Sequence, residues 1–147
     1  MSNNLNPEHS KEHPIDSAML VSLMDFCPYA QLIGMQPKVE NGELLFFLPF
    51  QPHNIGNDQL PALHGGLIGG FMEMAALMHM LCIQESNNVP RTIDFSIDYL
   101  RPGLAKDMRA TCSVTKHGKQ VANVQVTAWQ DSPDKPVAVA RAHLLLD

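Results

Sequence analysis

Between Gly66 and Ile83 almost every position is apolar or glycine, and Glu73 is the only charged residue in the span. His79 is the only other clearly polar side chain there. A helix that is apolar all round is a buried one, so 65–85 reads as a central helix wrapped by the rest of the chain. The segments around it carry other periods. Met19, Leu20, Leu23 and Met24, capped by Asp16 or Ser17, mark a short amphipathic helix that should stop before Cys27-Pro28. A second helical piece is expected over Tyr29–Ile33, up to Gly34. Residues 35–40 and 43–50 read as paired strands, because Asn41-Gly42 between them is a strong two-residue hairpin signal.

Residues 51–63 hold three asparagine or aspartate residues, two prolines and Gly56, which is loop chemistry. After a break at Asn87-Asn88-Val89-Pro90 the period changes to two. Thr92–Tyr99 alternates with Ile93, Phe95, Ile97 and Tyr99 on one face, and Arg101-Pro102-Gly103 should turn the chain. Alternation resumes over 107–116, 120–130 (Ala122, Val124, Val126 and Ala128 inward) and 137–146. A helix, two strands, a long helix and a four-strand meander predict an α+β fold whose antiparallel sheet curls round one buried helix. The open edges of such a sheet favour pairing with a second copy. We expect a polar lead-in over 1–15 and one domain over 16–147.

Composition adds exclusions. A formal charge of −5 and the lack of basic runs interleaved with aromatics argue against nucleic-acid binding. The N-terminus lacks the basic start and apolar core of a secretory signal, and glycine pairs and Glu73 interrupt the longest apolar span, so no membrane association is expected. Cys27, Cys82 and Cys112 are odd in number and far apart. They read as small buried residues of a reducing compartment, with the cytoplasm as default. The seven histidines show no metal-ligand spacing.

The remaining chemistry lies at the start of the long helix. Gly66, Gly69, Gly70 and Glu73 share one face, so a ligand or a second backbone has room to lie there, with a carboxylate at its far end. Glutamate is almost never fully buried without a partner. The first N–H groups of a helix lack internal partners and carry partial positive charge, and glycine lets a substrate oxygen come close. An oxyanion site beside a carboxylate points to acyl-transfer hydrolysis. His64, at the helix mouth, either orients the carbonyl or simply caps the helix. Met72, Met74, Met78 and Met80 suit an adaptable acyl pocket as well as they suit plain core packing.

Leu63-His64-Gly65-Gly66, the carboxylate nine residues past the histidine, and Asp94-Phe95-Ser96-Ile97-Asp98-Tyr99-Leu100-Arg101-Pro102-Gly103 together resemble the hotdog-fold acyl-CoA thioesterases of the phenylacetate-pathway type. The resemblance covers about 30 to 147. It implies two chains joined edge to edge, as a homodimer or a dimer of dimers (a homotetramer). It also implies an acyl- or aryl-acyl-CoA substrate and no cofactor beyond the coenzyme A that the substrate carries. The backbone N–H of Gly65 or Gly66 would polarise the thioester carbonyl, His64 would position it, and Glu73 would be base or nucleophile. Thr92 stands where relatives often have a functional hydroxyl, and Gly70 lies on the substrate face. Relatives often carry an asparagine six residues before the histidine and a glycine three before it. Here those places hold Asp58 and Pro61, with Asn57 one step away. Arg91, Arg101, Lys106 and Lys119 are candidates for the phosphates of coenzyme A. Two other functions fit the same fold. A dehydratase or hydratase usually has a histidine fourteen residues before the carboxylate, where Gln59 stands and His53 is out of register. A non-catalytic acyl-CoA sensor would need a DNA-binding domain longer and more basic than residues 1–34.

Overall fold

The computed structural model describes residues 17–84 and 88–146. The lead-in expected over 1–15, the cap at Asp16 and part of the break after the long helix lie outside them. The chain opens with helices α1 (Ser17–Asp25) and α2 (Pro28–Ile33), then strands β1 (Gln36–Glu40) and β2 (Glu43–Leu48). Asn41 at φ 53° and Gly42 at φ 77° make the hairpin turn between those strands, the left-handed pair that a two-residue loop needs. The segment read as plain loop contains a single 3-10 turn and a small hairpin, β3 (Ile55–Asn57) and β4 (Ala62–Leu63). Both strands are too short to show a period of two. Helix α3 (Gly65–Ile83) follows, and then β5 (Arg91–Tyr99), β6 (Met108–His117), β7 (Val121–Trp129) and β8 (Ala138–Leu145).

Six strands form one antiparallel sheet in the order β1-β2-β6-β7-β8-β5. This corrects the four-strand meander, since only β6, β7 and β8 follow one another. Strand β5 pairs with β8 at the far edge, and the chain then crosses to β6. Arg101-Pro102-Gly103 is therefore a crossover, and it runs over the start of α3. The Leu63 N–H donates to the Gly103 carbonyl at 2.8 Å, and Gly103 packs against Ile68. Alternation tells which face of a strand is buried, not which neighbour it takes, so this error was built into the pattern.

The core lies between α3 and one face of the sheet. The helix supplies bulk, with Phe71, Met72, Met78 and Met80 fully buried. The sheet supplies small residues, with Ala110, Ala122, Ala128, Ala138 and Ala142 at zero exposure. Large side chains against alanines let helix and sheet approach at interior packing density. By length and composition α3 passes for a membrane span, but most of its apolar surface is spent inside this core. Burial also pushes the pKa of His79 down and that of the Cys82 thiol up to about 11. Both effects follow from the cost of charging a group away from water.

Strand β5 departs from strict alternation. Its register against β8 slips between Thr92 and Asp94. Phe95, Ile97 and Tyr99 face the helix side opposite Ala142, Ala140 and Ala138, but Ile93 is the extra residue of the bulge and is 57% exposed. Thr92 takes the inward place instead, opposite the buried Leu144.

Candidate active site

His64 is the N-cap of α3. Its backbone is extended (φ −63°, ψ 129°), and its Nδ1 accepts from the Gly66 N–H at 2.9 Å. An accepting Nδ1 leaves the proton of the neutral ring on Nε2, so the exposed edge of the ring is a donor. The small hairpin fixes this residue. The His64 N–H donates to the Asn54 carbonyl at 3.0 Å, and a Cβ on Gly56 would fall 2.7 Å from His64 Cα. Of the two N–H groups expected to meet a substrate, that of Gly66 is held by His64. Among the described residues none accepts the N–H of Gly65. The Tyr99 hydroxyl donates to the Gly65 carbonyl at 2.6 Å. A cavity of about 340 Å³ opens here, bordered by Leu63, Gly65, Ile68, Tyr99, Arg101 and Gly103.

Further along α3, Glu73 is half-buried and accepts a hydrogen bond from the Thr92 hydroxyl at 3.0 Å. The bulge makes this contact, because it turns Thr92 inward; bulges beside functional sites commonly re-aim a side chain in this way. With one carboxylate oxygen oriented by Thr92, the other is free to take a proton from water or to attack a carbonyl.

The structure thus brings the expected residues into two groups. His64, Gly65, Gly66 and Arg101 gather at the helix mouth, with Asn57 and Asp58 in the adjoining hairpin. Asn57 Oδ1 accepts from the Gln59 N–H at 3.0 Å, closing that turn, and Asp58 is exposed. Glu73 and Thr92 form the second group. Eight residues of helix separate Gly65 from Glu73, roughly 12 Å along the axis, so one chain does not join the groups.

The glycine face is not bare, which corrects the sequence reading. The Tyr29 ring lies over Gly70, where a Cβ would be 2.7 Å from its atoms, and Tyr99 lies over Gly65 and Gly69 at 3.5 Å. Gly70 therefore faces an aromatic ring of its own chain. Of the two readings left open for the methionines, Met72, Met78 and Met80 take that of core packing, and Met74 is partly exposed. Among the candidate phosphate ligands, Lys106 is engaged by Asp131 at 2.7 Å. Both tyrosines were missed. The available signal was the glycines themselves, since three on one helix face leave space that a large flat side chain can fill.

Residues 56–145 match the family model of the acyl-CoA thioesterase N-terminal domain. The medium/long-chain acyl-CoA thioesterase YigI of Salmonella typhimurium is 35% identical over 115 residues, covering 67% of this chain and 73% of that protein. A Chromobacterium violaceum protein of known structure is 50% identical, with a TM-score of 0.71 over 88% of this chain and 90% of its own. The Bacillus halodurans protein BH2602, solved with CoA, has a TM-score of 0.70 at 22% identity, covering 88% and 92% of the two chains. With the six-stranded antiparallel sheet, the buried helix and the match over both site groups, the chain belongs to the acyl-CoA thioesterase family of hotdog fold and is a thioester hydrolase.

Proposed function

We propose that this enzyme hydrolyses aliphatic acyl-CoA thioesters in a site shared by two chains. The thioester carbonyl oxygen is received at the mouth of α3 by the Gly65 N–H and the Nε2–H of His64. Glu73 of the partner subunit approaches the carbonyl carbon from the other side, as base for a water molecule or as nucleophile. As the tetrahedral centre forms, negative charge grows on the oxygen facing the helix N-terminus, where a fixed donor stabilises it; one such donor is typically worth about 2.7–4 kcal/mol. Collapse of that centre breaks the C–S bond and releases coenzyme A and the free acid. Arg101 borders the cavity beside Gly65 and is the first candidate for the phosphates of coenzyme A. Asp58 is the preferred polar helper from the hairpin, since the Asn57 carboxamide oxygen already closes its turn.

One observation carries the reading: a half-buried carboxylate, alone on its helix, is held by a hydroxyl that a strand bulge has turned toward it. The aliphatic acyl group is supported by the name of the YigI relatives. CoA in the BH2602 structure supports a coenzyme A thioester as substrate. The reaction needs no cofactor beyond the substrate's own coenzyme A, and the free thiols suit the reducing cytoplasm.

Free-thiol release from a panel of aliphatic and aryl acyl-CoA esters tests this directly. Wild type should favour the aliphatic esters. Glu73→Gln keeps the side chain's size and removes the base, and should lower kcat/KM by roughly a hundredfold or more with the circular dichroism unchanged. A variant that kept more than about a tenth of wild-type kcat/KM would remove Glu73 from the mechanism.

A further inference from the structure

The start of α3 contains a hydrogen-bonded relay that ends on the edge strand. The Tyr99 hydroxyl donates to the Gly65 carbonyl at 2.6 Å. That carbonyl belongs to the same peptide unit as the Gly66 N–H, which donates to His64 Nδ1 at 2.9 Å. A peptide whose oxygen accepts a strong hydrogen bond becomes a better donor through its N–H, because the two ends polarise one another. Donation into Nδ1 is in turn what keeps the neutral imidazole with its proton on Nε2. We propose that Tyr99 is a positioning residue for catalysis: through the Gly65–Gly66 peptide it orients His64 and fixes which ring nitrogen carries the donor that meets the thioester carbonyl.

Three further observations support this assignment. Gly65 and Gly66 have no side chains with which to hold the first turn of α3, and glycine backbone is the most costly to order. Tyr99 takes the place of the missing Gly65 side chain, with its ring 3.6 Å and its hydroxyl oxygen 3.5 Å from where that Cβ would be, and the same oxygen lies 3.5 Å from a Cβ placed on Gly69. Tyr99 is also 51% exposed. With half of the residue open, burial alone does not force its hydroxyl onto the Gly65 carbonyl. Finally, Tyr99 is the last residue of β5, whose second residue is Thr92, the partner of Glu73. One strand therefore addresses both site groups, with a hydroxyl at each end.

The role rests on the proposed hydrolysis, so the experiment reads two quantities that fail separately. Tyr99→Phe keeps the ring over the glycines and removes only the O–H. Kinetics on the acyl-CoA ester that wild type prefers should show kcat down about tenfold, the usual scale for one hydrogen bond, with KM within about twofold. In the same variant, amide hydrogen exchange at Gly66 should speed up by about tenfold. Exchange at Met78, in the buried middle of α3, should not move. Faster exchange at both sites would mean general loosening and would overturn the assignment. So would a kcat within about twofold of wild type, or unchanged exchange at Gly66. If wild type hydrolyses no acyl-CoA ester, the functional reading falls, and the Gly66 exchange rate still decides whether Tyr99 orders the His64 unit.

Discussion

The two edges of the sheet are built differently. Strand β1, at one edge, is five residues long and carries Pro37 and Lys38. Lys38 folds over the Phe47 ring of the neighbouring strand, 4.1 Å from its centroid. A short strand with a proline and a lysine is how natural sheets end safely. Strand β5, at the other edge, runs for nine residues with neither proline nor lysine, and Ile93 on it is 57% exposed. Its aspartates lie on the solvent face, where Asp94 is 4.0 Å from His143, and they leave the row of edge amides and carbonyls accessible. Beyond its bulge at Ile93, this longer edge lacks the proline and lysine that close β1, and such an edge is a template for another strand. The same strand holds Thr92 and Tyr99, the contacts of the two site groups. In the shared site proposed above, the edge left open is also the edge that organises the chemistry, and a second copy paired there would span the roughly 12 Å between Gly65 and Glu73.

The sharpest way to break this comparison is to divide the site between chains. His64→Ala and Glu73→Gln homodimers should each be nearly inactive. A purified mixed dimer, with one chain of each kind, would have one pocket with both native residues and one pocket with neither. Its thioesterase activity should return to about half of wild type, a rise of roughly fiftyfold over the parents if each had lost about a hundredfold. A mixed dimer as inactive as its parents would show that every pocket is contained within one chain, and the open β5 edge would then need another explanation.

A smaller effect is expected from charging each edge in turn. Ile93→Lys gives β5 the residue that β1 already has. Sedimentation equilibrium should show the dimer weakened by roughly a hundredfold, a few kcal/mol, with activity falling as the protein is diluted. Val39→Lys, at an exposed position of β1, should leave association within about twofold. Equal effects of the two lysines would mean that the edges are not different in kind.

Most of the fold was legible because each long element had one dominant period. The α3 span had only Glu73 and His79 to interrupt its apolar run, and Asn41-Gly42 specified its turn through backbone conformation. The order of strands was not legible, since alternation over Thr92–Tyr99 is the same whether β5 pairs with β6 or with β8. The site was legible in part for the same reason. Glu73 and His64 stand out as isolated polar groups, and Thr92 entered through family resemblance. The orientation of Thr92 depends on a one-residue bulge at Ile93 that alternation hides. Tyr99 was hidden in a different way: it fits the apolar face of its strand, and only the glycines opposite give its hydroxyl a carbonyl to reach.

The smallest effect concerns the guarded edge. Lys38→Met keeps an unbranched stem of similar length and removes the charge over Phe47. An exposed cation–π contact is worth about 0.5–1 kcal/mol, and Arg109, 5.3 Å from the same ring, remains to share it. For a chain of this size that is a fall in Tm of about 1–4 °C. The charge also guards the edge, so the variant should aggregate more readily on heating while its dimer constant and kcat/KM stay at wild-type values. The separation of those readouts is the test. If Lys38→Met lowered kcat/KM as well, β1 would be contributing to the site, and the division between a closing edge and a working edge would fail.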